Sequence, residues 1–72
     1  MTTKKALKIL GERLAELRNK KGLTQKDFCK RHKLPIIHYW RIEHGKANIT
    51  MKSLGRLCAI HKCTMGEILK DL

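Results

Sequence analysis

Apolar residues recur along this chain at helical spacing, in runs too short and too often interrupted to build anything but a set of short helices. Leu7, Leu10, Leu14 and Leu17 follow one another at intervals of three, four and three. That rhythm stacks them on one face of a helix over about Lys5 to Lys20. Glu12 and Glu16 fall at helical spacing to pair with Arg13 or Lys20. Lys20-Lys21-Gly22 then puts cations in the last turn and a glycine where a helix stops. No segment alternates with a period of two, so no strand is expected.

The rest of the chain is cut by caps and breakers. Thr24, with Asp27 three residues on, opens a second helix over about Gln25 to Arg31. On it Phe28, Cys29 and His32 point one way and Lys26, Lys30 and Lys33 the other. Pro35 suits the first turn of a third helix, about Pro35 to His44, which ends at Gly45. Tyr39 and Ile42, following Leu34, form its inward stripe; Ile36, Ile37, Trp40, Arg41 and His44 form the opposite face. After a loop over 46–49, Thr50 caps a fourth helix, about Met51 to His61, with Met51, Leu54, Leu57, Cys58 and Ile60 as apolar surface. Thr64 and Glu67 have capping-box spacing for a short last helix to about Asp71, where Gly66 costs about 1 kcal/mol relative to alanine. The expected architecture is all-α: five helices in one domain over residues 1–72.

Seventy-two residues are too few for a deep cleft with its own supporting shell. The chain carries 17 basic and 6 acidic side chains, a net charge of +11, and residues 1–33 hold 11 of the basic groups against 3 acidic ones. Such an excess favours a polyanionic partner, nucleic acid being the commonest. The apolar runs fall well short of the roughly 20 residues that span a bilayer. Met1-Thr2-Thr3-Lys4-Lys5 leads into an amphipathic segment and not into a signal-peptide apolar block. With Cys29, Cys58 and Cys63 read as reduced thiols, a cytoplasmic setting is expected. Cys58, His61 and Cys63, with Cys29 or His32 as a fourth ligand, do not follow a usual zinc spacing, so no metal is expected. The sequence offers no nucleophile–base pair and no phosphate loop, so neither an enzyme nor a cofactor is expected.

Two short helices joined by a tight turn, over about 24–44, make a helix-turn-helix, whose second helix can enter the major groove. Leu23-Thr24-Gln25-Lys26-Asp27-Phe28-Cys29 followed by Ile42-Glu43-His44-Gly45-Lys46 resembles the helix-turn-helix domain of phage-repressor-like (lambda-repressor-like, Xre-type) transcriptional regulators. The resemblance runs from about Gly11 to Leu69. It implies a five-helix fold and a sequence-specific duplex-DNA-binding regulator, a repressor or controller that pairs as a homodimer on a palindromic operator. It also implies an internal ion pair between Arg18 and Glu43, and a phosphate contact and bracing role for Gln25. The chain departs from the family where His32-Lys33 and His61-Lys62 replace a Leu-Gly pair, which puts lysines at turn positions that favour glycine. Cys29 stands in a small core slot, and Cys58 and Cys63 fall on core positions of the same pattern. Pro35 replaces a Ser/Thr cap, and Ile36 and Ile37 stand where polar base-reading residues are common.

On this reading Arg41 contacts guanine or a phosphate, since a guanidinium matches either bidentately. Ile36 and Ile37 meet thymine methyls, and Trp40 packs on methyls or sugars, or fills a protein interface. His38 and His44 either add phosphate contacts or are solvated, and Lys46 touches the backbone. Lys26, Lys30 and Lys33 supply general attraction. The alternative is a protein-interaction module, such as an antitoxin or anti-repressor, that grips a protein partner with Ile36, Ile37 and Trp40. An RNA-binding protein is disfavoured by the scarcity of aromatic stacking residues.

Overall fold

In the computed structural model, which describes residues 3–72, five helices follow in order: α1 Thr3–Lys20, α2 Gln25–His32, α3 Ile36–Glu43, α4 Met51–His61 and α5 Met65–Ile68. Of the N-terminal stretch read above, Met1 and Thr2 lie outside the described residues. Each of three threonines starts a helix by accepting from a backbone amide: Thr24 from Asp27, Thr50 from Ser53 and Thr64 from Glu67, at 3.0–3.1 Å. Glu67 returns the favour at Thr64 N, 3.0 Å away, completing a capping box. The buried core is Leu10, Leu14, Phe28, Cys29, Tyr39, Ile42, Leu54, Leu57, Cys58 and Ile68. Of the leucine stripe on α1, Leu10 and Leu14 are fully enclosed and Leu7 and Leu17 half-buried.

α2 and α4 end alike. Lys33 and Lys62 adopt left-handed backbone at φ 56° and 55°. Leu34 N donates to Cys29 O at 2.9 Å and Cys63 N to Cys58 O at 3.0 Å, the long hydrogen bond of a Schellman turn. A lysine there bears a Cβ strain that glycine would escape, roughly 1–2 kcal/mol per residue.

Several sequence expectations are corrected. Pro35 is not in the first turn of α3: it is the N-cap, with extended ψ of 120°, and its carbonyl accepts from Tyr39 N at 3.0 Å. The helix therefore starts at Ile36, and His44 lies beyond its end as the C-cap. α1 begins at Thr3, and α2 continues through His32. α5 stops at Ile68, three residues short of Asp71, which itself turns left-handed at φ 63°. Four residues, one a glycine, cannot sustain a longer helix against the cost of nucleation. Met51 is 64% exposed instead of packing inward, and Cys63 is only half-buried. Arg13 turns away from both acidic neighbours and donates to Ile68 O at 2.8 Å, tying α5 to α1. Glu16 alone meets Lys20, at 3.8 Å.

Glycine decides how α1 lies on α3. A Cβ on Gly11 would sit 2.4 Å from the Glu43 carbonyl oxygen and 2.5 Å from that of Ile42. One on Gly45 would sit 2.7 Å from Lys8 Cα. The two backbones therefore touch directly, and α3 is held by α1 along its C-terminal end.

Phe28 is flanked by two imidazoles. His61 stacks on it at 5.3 Å and 4°, and His32 tilts against it at 4.7 Å and 56°. Both ring nitrogens of His61 are enclosed without a hydrogen-bond partner among the described residues. Burial, followed by the charge of Lys21 and by His32, holds the His61 pKa below the ordinary value, with Glu43 opposing weakly. His32 is lowered by burial and then by Arg31, Lys21 and Arg56. The unfolded chain thus takes up protons on these imidazoles that the folded chain resists. Their packing stabilises the fold fully above about pH 6.5 and is lost as pH falls from there through the lowered folded values. Urea unfolding at pH 7.5, 6.5 and 5.5 should show stability declining across this series. His61→Phe should flatten the decline, and an unchanged decline in that variant would rule His61 out as a source.

Candidate nucleic-acid interface

Lys33, Leu34 and Pro35 alone separate α2 from α3, giving two short helices joined through a tight turn. Tyr39, Ile42 and Glu43 face inward on α3. The outward face carries Ile36, Ile37 (77% exposed), His38, Trp40 (40% exposed) and Arg41, with His44 and Lys46 exposed just beyond the helix. Three of the four large apolar side chains exposed among the described residues, Ile36, Ile37 and Trp40, lie on this face; the fourth is Met51.

The end of α3 is internally braced. His44 stacks on Trp40 with ring centres 3.8 Å apart, and its Nδ1 lies 2.8 Å from Trp40 O. Lys46 Nζ stands 5.4 Å from the centre of the Trp40 ring, a cation–π arrangement. Arg41 Nη2 donates to Lys46 O at 3.0 Å, which leaves the other guanidinium N–H groups to point outward. Gly45, at φ 68°, makes this turn: Gly45 N donates to Ile42 O and Lys46 N to Arg41 O, at 3.1 and 2.8 Å.

Beneath the face lies a carboxylate hub. Glu43, 7% exposed, receives Arg18 Nε on Oε2 at 2.8 Å and Arg18 Nη2 on Oε1 at 3.0 Å. Gln25 Nε2 donates to the same Oε1 at 3.0 Å. Arg18 also donates from Nη1 to Leu23 O at 2.7 Å, so one guanidinium spans α1, the entry to α2 and the end of α3. Burial alone would raise the Glu43 pKa. Hydrogen bonding from Arg18 first, then the proximity of the Tyr39 hydroxyl and the hydrogen bond from the Gln25 amide, outweighs it and holds the carboxyl below its usual range. The Tyr39 hydroxyl is enclosed near this carboxylate but outside hydrogen-bonding geometry with any described group. Burial and then the Glu43 charge push it well above the usual phenol range.

The sequence profile described as "Helix-turn-helix domain" matches residues 9–69. The chain belongs to this helix-turn-helix family. Its helices superpose on the crystal structure of the clp gene regulator ClgR from C. glutamicum with a TM-score of 0.78 and 19% identity, covering 89% of this chain and 82% of that one. At that identity the likeness is one of fold. No curated protein sequence matches the chain.

Within the helix-turn-helix frame the residues singled out above fall into two groups. Ile36, Ile37, His38, Trp40, Arg41, His44 and Lys46 share the exposed surface of α3 and its following turn. Gln25, at the start of α2, turns its amide nitrogen to Glu43 and borders the same groove as Trp40 and His44. The resemblance implies that Gln25 braces α3 but does not name Glu43 as its partner, and the Trp40–His44 stack is not among the expectations. The stack has a signal in the sequence, because an aromatic and a histidine four residues apart meet on a helix. Arg56 Nη2 donates to His32 O at 2.6 Å and so joins α4 to the end of α2, a contact that no local spacing announces. Among the described residues, no group of three or more His, Cys, Asp or Glu side chains is placed to hold a metal ion, and no helix is long and apolar enough to cross a membrane.

Proposed function

We propose that this helix-turn-helix chain is a transcriptional regulator that binds a specific duplex-DNA sequence through α3. The observation that carries the reading is the braced, exposed α3 face, seated on the Arg18–Glu43–Gln25 hub in a chain of net charge +11. A rigid element of this width fits the major groove, and the charge excess suits the phosphates around it. Ile36 and Ile37 contact thymine methyls, Trp40 packs on methyls and sugars, and Arg41 forks onto guanine or a phosphate. Gln25, His38, His44 and Lys46 contact the backbone. Residues 1–72 act as one DNA-binding domain in the cytoplasm, as a repressor or controller. Two copies on a palindromic operator would double the few bases that one α3 can read. A second reading is favoured by the exposure of Ile37 and Trp40: the same face holds a protein partner.

On a preferred duplex, Arg41→Ala should weaken binding by about 1–3 kcal/mol and relax selectivity at one position per half-site. Replacing thymine by uracil in that site should weaken the unaltered chain, and Ile37→Ala should abolish the difference. An Ile37→Ala variant that binds DNA normally but loses a protein complex would move the α3 face to the second reading.

A further inference from the structure

The Gly11 and Gly45 contacts bring together two cationic segments that lie far apart in sequence. They place the N-terminal half of α1 beside the turn that follows α3, and an open groove of about 590 Å³ lies between them. Lys4, Lys8, His44 and Lys46 line its walls. The groove runs on into a second stretch of about 600 Å³ that shares Lys8, Glu12 and His44 and reaches Trp40 and Gln25. The two make one continuous track beside α3, from the start of α2 to the first turn of α1.

We propose that this track seats the sugar–phosphate backbone of the duplex that α3 reads, with Lys4 and Lys8 neutralising phosphates. The inference rests on the DNA-binding reading above and adds α1 to the interface. Lys4 and Lys8 are exposed and take part in no ion pair among the described residues, so a phosphate would not have to displace a carboxylate from either. Lys46 already leans over Trp40, which puts one cation at the joint between the α3 face and the track. Two carboxylates oppose: Glu43 in the second stretch is already paired with Arg18, whereas Glu12 lines both stretches and would repel a phosphate beside it. Contacts of this kind carry no sequence information, but they set register and make affinity depend on salt.

The test measures binding of the full chain to its preferred duplex and to a scrambled one between 50 and 200 mM salt. The double variant Lys4→Gln, Lys8→Gln should lose about tenfold in affinity for both duplexes alike. Its plot of log K against log salt should be shallower by about 1.8, corresponding to two phosphates at about 0.9 each. Glu12→Gln, which removes the repulsion, should bind both duplexes more tightly. Lys70→Gln makes a charge change of the same kind outside the track and should leave the slope unchanged. Circular dichroism should show the same helix content throughout. An unchanged slope in the double variant overturns the proposal while duplex binding itself stands. So does weakened binding of the double variant to anionic lipid vesicles with duplex affinity intact, or a Lys70→Gln change in slope as large as half that of the double variant. An unaltered chain that binds no duplex would overturn the DNA-binding reading, and the track with it.

Discussion

Glu43→Ala is expected to destabilise the domain by about 3 kcal/mol, because it leaves Arg18 and Gln25 without the acceptor that both are turned toward. A domain of this length holds roughly 4–11 kcal/mol in all, so the loss is a large share of it. Glu43→Gln keeps the shape and one acceptor oxygen and should recover part of that loss. The variants also have a pH signature. With its folded pKa lowered, Glu43 contributes stability that is complete above its unfolded value, about 4.3, and vanishes as pH falls through the folded value. Glu43→Ala should therefore flatten the acid limb below about pH 4.3 while leaving the decline that begins near pH 6.5, which belongs to the imidazoles. Urea titrations across pH 3–7 separate the two windows. Equal stability of Glu43→Ala and the unaltered chain at pH 7 would contradict the hub's role.

Gly11→Ala should be worse than any ordinary alanine substitution in a helix, where alanine normally gains about 1 kcal/mol over glycine. Here the added methyl would stand 2.4 Å from the Glu43 carbonyl and 2.7 Å from its carbon, and neither is a side-chain end that can swing aside. α1 must lift from α3, which also parts Arg18 from Glu43. The expected cost is about 3 kcal/mol or more, at the upper end of overpacking, together with loss of duplex affinity from the molecules that still fold. Thermal unfolding and duplex titration read the two effects. A variant as stable as the parent would mean that the α1–α3 contact is looser than drawn.

What was legible in the sequence followed from local chemistry. α4 was readable at its start from the cap Thr50, and at its end through the family resemblance, which sets His61-Lys62 where a Leu-Gly helix stop is usual. Periodicity placed Tyr39 and Ile42 inward and Ile36, Ile37, Trp40 and Arg41 outward on α3, whereas the inward Glu43 came from the family resemblance. The length of α5 is not legible, because its capping box marks a start but says nothing of where the helix ends. Pro35 was misplaced by one position, since proline is acceptable both as N-cap and in the first turn, and only the backbone angle distinguishes them. Arg18 and Glu43 were recognisable as a pair through the family resemblance, whereas Gln25 joining them depends on how α2 meets α3. The track of Lys4 and Lys8 was not legible at all. It exists because two glycines 34 residues apart let two backbones touch, and neither glycine carries a local signal of that contact.

In the proposed mode α3 reads a specific duplex. Selection of bound sequences from a random duplex pool, at fixed moderate salt with excess non-specific competitor, tests it most directly. A short site containing thymines and at least one guanine should be enriched, repeated with inverted symmetry at half-sites about one helical turn apart. Enrichment should disappear in Arg41→Ala, Ile37→Ala double-variant protein. A pool that leaves selection as random as it entered, with the chain folded and binding every duplex equally, would contradict it.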